Sequence, residues 1–105
     1  DPTILEAARV LGENTALSKK PLDQKIEQAF ETIVIRKPTK FEREKLIAYC
    51  EKQVAFFNTK PAVADAALKV GEFEHPKQKY NSSEAAALMK TILIMYNLEE
   101  TITKS

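Results

Sequence analysis

Apolar residues recur every three to four positions along most of this chain, the period of a helix that buries one face. The pattern is clearest in the residues numbered 25–53. Ile26, Ala29, Phe30 and Ile33 form one stripe, and Leu46, Cys50, Gln53 and Phe57 form a second. Between them lies Arg36-Lys37-Pro38-Thr39, where Pro38 disfavours helical backbone in the residue before it. Two helices meeting at this corner must share one core. Leu22 begins the earlier stripe, so the spacing predicts a helix from about Pro21 to Arg36, with Lys25, Glu27, Gln28 and Glu31 facing water. Thr39 and Glu42 stand at capping-box spacing and open a helix to about Asn58, with Tyr49 and Phe56 widening its apolar side. Lys40–Glu44 and Glu42–Lys45 read as a solvated face of that helix.

The flanking segments continue the same period. Asp1-Pro2 has the chemistry of a helix start, and Ile4, Ala7, Ala8 and Leu11 mark one face. Gly12 is expected to end this helix, leaving residues 13–20 as a polar surface connector anchored by Ala16 and Leu17. Pro61 restarts a short helix with Val63, Ala66, Ala67 and Val70, closed by Gly71. Residues 71–80, including His75 and Pro76, have little periodicity and read as a loop. Asn81-Ser82-Ser83-Glu84 is a further helix start. The helix after it is apolar on nearly every side, from Ala85 to Tyr96, so it is expected to lie across the others or to be covered by something outside this chain. Asn97-Leu98-Glu99-Glu100 then carries the chain out, with Leu98 and Ile102 as the last anchors. The fold class is all-α: residues 1–105 form a single compact domain of about five helices in an orthogonal or bundle-like array.

Composition narrows the function more than it defines it. Sixteen Lys and Arg stand against 15 Asp and Glu, and Arg9, Arg36 and Arg43 are the only arginines. That balance argues against nucleic acid as a partner. The most apolar run is too short to insert in a membrane and is interrupted by Lys90. One cysteine excludes an internal disulfide. Cys50 lies on the stripe with Leu46, which makes it a core thiol rather than a nucleophile. His75 is the only histidine, so no histidine cluster can hold zinc, and Cys-x-x-Cys-His haem attachment is absent. No catalytic residue, metal ligand or cofactor-binding residue is nominated. The chain is not expected to be an enzyme. Asn81-Ser82-Ser83 matches a glycosylation sequon, but helix capping explains the same residues.

Two motifs in order carry a family likeness. Ile26-Glu27-Gln28-Ala29-Phe30, Arg36-Lys37-Pro38-Thr39 and Glu44 with Leu46 form the first; residues 93–103, with Asn97-Leu98-Glu99-Glu100, form the second. Together with Leu5-Glu6-Ala7-Ala8-Arg9, they resemble the carboxy-terminal domain of unknown function in planctomycete-type cytochrome c multidomain proteins. Glu99 replaces a usual Asp, and Thr101 a common aromatic. The resemblance implies a bacterial, extracytoplasmic parent protein, periplasmic or secreted. Any c-type haem would sit in another part of that protein, and a carbohydrate context is possible in the family. The chain starts at Asp1 rather than methionine, consistent with a processed protein or a module of a larger one. The expected role is non-catalytic packing against, or interaction with, other domains of the parent. The alternative is an accessory domain completing a ligand-binding or catalytic site with an upstream domain. Arg36, Asn97, Glu99 and Glu100 are the interaction candidates. Arg36 is expected to hold the corner by bonding helix-end carbonyls, or else to reach a partner.

Overall fold

A computed structural model describes residues 2–69 and 81–104, and these residues form five helices: α1 Pro2–Leu17, α2 Leu22–Val34, α3 Lys40–Thr59, α4 Pro61–Ala67 and α5 Ser82–Lys104. Asp1, Val70, Gly71 and the predicted loop at 71–80 with His75 lie outside the described residues. The all-α single-domain fold is as the periodicity indicates.

The last helix is the hub. α5 packs against all four other helices, most extensively against α1 and α3. Most of its apolar surface is therefore covered within the chain, with Leu93, Ile94 and Tyr96 half-buried. Ala85, Ala86, Ala87, Leu88, Ile92 and Met95 are buried around its circumference. Thr91 is fully buried as well, and its hydroxyl is satisfied by donating to the Ala87 carbonyl at 2.8 Å, the back-bonding available to a helical threonine. The helix starts where the sequence places it: Asn81 Oδ1 accepts from the Glu84 backbone N–H at 3.0 Å. It does not end at Asn97, because Asn97-Leu98-Glu99-Glu100 stays helical as part of the run to Lys104.

Gly12 does not end α1. It lies in the middle of that helix, against α5. A methyl group there would meet the Met89 backbone nitrogen at 3.0 Å and the Ala85 carbonyl oxygen at 3.2 Å. The glycine thus serves close helix–helix approach, with Ala8 and Ala85 buried beside it. Residues 13–17 of the expected connector are consequently the last turn of α1. Glu13 is buried, and its carboxylate accepts from Arg9 Nη1 at 2.7 Å.

The stripes of α2 and α3 form largely as predicted, with Ile26, Ala29, Phe30, Ile33, Leu46, Cys50 and Phe57 buried, but Gln53 is only half-buried and Phe56, expected to widen the apolar side of α3, is exposed. Lys25 departs from the prediction. It is buried rather than solvated, with Nζ donating to the Glu84 carboxylate and to the Ala16 carbonyl, the latter at 3.2 Å. A lysine one position before the apolar stripe can bury its stem and still deliver its charge to a partner. Ala64 in α4 and Leu68, just past its end, face the core, whereas Val63 and Ala66 are exposed.

Candidate functional site

The α2–α3 corner is built residue by residue. α2 ends at Val34, and Ile35 turns the chain with φ 63°, ψ 35°, its N–H donating to the Glu31 carbonyl at 3.1 Å. The helix therefore stops before Arg36, earlier than Pro38 alone would require. Left-handed backbone is disfavoured by about 1–2 kcal/mol for an L-residue, and a β-branched one is the least suited to it. Ile35 is also 79% exposed, so burial of its side chain does not offset this strain.

After the turn the capping box forms. Thr39 Oγ1 accepts from the Glu42 N–H at 3.1 Å, and Glu42 Oε1 accepts from the Thr39 N–H at 2.8 Å. Arg36 adds a two-pronged bond to the same carboxylate, Nη1 to Oε1 at 2.8 Å and Nη2 to Oε2 at 2.9 Å. It also donates to the Lys37 carbonyl at 3.1 Å, and its guanidinium lies 5.1 Å from the Phe30 ring centre. The carbonyl it binds is thus in the turn, not at the end of α2. The Arg36 guanidinium, helped by the Thr39 N–H, pulls the Glu42 carboxyl down to about 2. The arginine is correspondingly raised by Glu42.

A second link crosses the corner. Arg43 joins α3 to α2 through Asp23 at 3.0 Å and Glu27 at 3.2 Å. All three arginines are thus engaged by carboxylates, Arg9 by Glu13, Arg36 by Glu42, and Arg43 by this pair. On the outside of this braced corner, Phe41 is 69% exposed, with the Lys45 ammonium 5.5 Å from its ring centre.

The other nominated residues lie elsewhere. Asn97 is exposed and Glu99 half-buried on α5, and the side chain of Glu100 lies outside the described residues. Arg36 takes its partners from the corner, not from this tail. Sequence reasoning missed Ile35 and Phe41. Phe41 was accessible to it: at about 100° per residue, it points roughly 140° away from Leu46. Ile35 left no such trace, since isoleucine is among the residues least expected in left-handed backbone.

The Cys50 thiol is fully buried, and burial pushes it above its usual range. Among the described residues, no group of three or more potential ligands could hold a metal ion, and no helix is long and apolar enough to cross a membrane. Two adjoining surface grooves run beside α2. One, of about 300 Å³, separates α2 from the end of α1; the other, of about 450 Å³, lies along the outer face of α2. Arg36, Asn97 and Glu99 line neither groove. No protein-family model, curated protein or solved structure matches this chain.

Proposed function

We propose that this chain is a non-catalytic helical packing and interaction module that docks on other domains of a larger exported multidomain protein. In this reading it is related to the carboxy-terminal domain of the planctomycete-type cytochrome c proteins, and any haem belongs to another part of the parent. The observation that carries the reading is Ile35. A strained backbone position is retained where the surrounding structure holds it in place, and such positions cluster at functional surfaces. Here the strain sets an isoleucine outward, 79% exposed, on a corner braced by Arg36, Glu42 and Thr39. Phe41 stands on the first turn of the next helix, equally outward. The buried thiol and the pairing of the arginines with carboxylates support a non-catalytic role.

The test uses the full-length protein with a photo-crosslinking residue at position 41. Crosslinked peptides from another domain are expected, well above those from a control at Lys52, which is also exposed on α3. Ile35→Gly should reduce this crosslinking while stabilising the fold by about 0.5–1 kcal/mol, because glycine adopts left-handed backbone without strain. Crosslinking at position 41 no greater than at the control would overturn the reading.

A further inference from the structure

We propose that the groove between α1 and α2 binds the oxyanion of a small ligand, a carboxylate, phosphate or sulfate group. This site is separate from the corner and does not depend on it. The groove is lined by Lys20 and Lys25 and by no carboxylate. Its apolar floor is Leu11 and Ala29, and at about 300 Å³ it has room for roughly ten water volumes. A concave site with an apolar floor and a few convergent polar groups is the usual form of a small-molecule pocket.

The hydrogen-bond inventory points to an acceptor-rich guest. An ammonium has three donors, and Lys25 Nζ uses two, on Glu84 and on the Ala16 carbonyl. Lys20 Nζ uses one, on Gln28 Oε1 at 3.2 Å, which leaves the Gln28 amide NH₂ as its free end. Ser18 Oγ accepts from the Lys20 N–H at 3.2 Å, so its hydroxyl proton is available to donate. Asn14 and Thr15 add side-chain donors to the lining.

Three features weigh against an anion. The Glu84 carboxylate is bonded to Lys25 Nζ and offsets that ammonium's charge, so Lys20 is the cation on which the site relies. The end of α1 points carbonyls toward this region, the negative end of its dipole. The Thr15 carbonyl already accepts from the Ser18 N–H at 3.1 Å, and the Ala16 carbonyl from Lys25. Glu27 and Glu31 line only the adjoining groove, and Glu27 is bonded to Arg43. Lys20 is the exposed cation at the junction, since it lines both grooves.

The experiment is a backbone-amide NMR titration of the chain with sodium phosphate, sodium sulfate and sodium acetate, with ionic strength held constant by sodium chloride. Saturable shifts are expected at Thr15, Ser18, Lys25 and Gln28, with a dissociation constant below about 50 mM for at least one anion. Acetate against phosphate and sulfate tells a planar from a tetrahedral guest. Lys20→Gln, a change at an exposed residue, should weaken binding about tenfold, as expected for loss of a charge-assisted hydrogen bond. Three outcomes would overturn the proposal: shifts that do not saturate with any of the anions, saturable shifts confined to other residues, or unchanged binding in Lys20→Gln.

Discussion

Glu42 carries two duties at once, and they can be separated. Its carboxylate closes the capping box with the Thr39 N–H and pairs with Arg36. Glutamine at the same position retains the capping acceptor but not the charge. Because the folded-state value is depressed to about 2, ionised Glu42 stabilises the fold above the unfolded carboxylate value of about 4.3. That contribution fades as pH falls from there through about 2. The pair is at the surface, where solvent screens it, so its worth is modest. Urea midpoints of wild type and Glu42→Gln should therefore differ at pH 7 and converge by about pH 2. A gap independent of pH would mean that the charge contributes nothing and that glutamine caps the helix less well than glutamate.

At the scale of the helices, Gly12 shows where a sequence signal has two meanings. Glycine stops helices and also lets them touch, and only the partner decides which. Seen alone, the residue predicts the end of α1; seen against the Met89 and Ala85 backbone, it predicts a close crossing. Gly12→Ala would gain about 1 kcal/mol of helix propensity. It would also press a methyl group onto α5 backbone, an overpacking that typically costs about 1–3 kcal/mol. Backbone cannot swing aside as a flexible side chain can, so a net loss of up to about 2 kcal/mol is expected, read as a lower urea midpoint at unchanged m-value. A more stable variant would show that α1 can shift away from α5.

The same contrast explains what else was legible. Stripes and caps depend on residues a few positions apart, and so Ile26 to Ile33, Leu46 to Phe57, the Thr39–Glu42 box and the Asn81 cap could all be read in advance. Lys25 and Arg43 could not, because their partners are set by helix packing: Glu84 lies 59 positions from Lys25, and Asp23 lies 20 from Arg43. At the corner, composition placed the break near Pro38, but the left-handed Ile35 that makes the turn breaks local preference. The exposed pair Ile35 and Phe41 was therefore overlooked, while Arg36, nominated from the corner motif, is engaged by its neighbour Glu42.

Over the whole molecule, one ion pair ties together the three helices that meet near the start of α5. Lys25 belongs to α2, its carbonyl partner Ala16 to α1, and Glu84 to α5. The two charged side chains are unequally buried, 7% exposed for Lys25 against 29% for Glu84, and this asymmetry gives a prediction. Glu84→Ala strands a buried ammonium whose remaining partner is one carbonyl, and should cost about 3 kcal/mol. Lys25→Met keeps the stem's volume and leaves a carboxylate with access to water, so about 1 kcal/mol or less is expected. The double variant should lie close to Lys25→Met alone, because removing both partners leaves no stranded charge. The larger loss is a substantial share of the roughly 5–15 kcal/mol that holds a domain folded. Amide exchange should locate it: in Glu84→Ala the last turn of α1 and the first turns of α2 and α5 should lose protection together. Loss confined to α5 would mean that the ammonium does not couple the three helices, and that their packing around Gly12 and the alanines holds them without it.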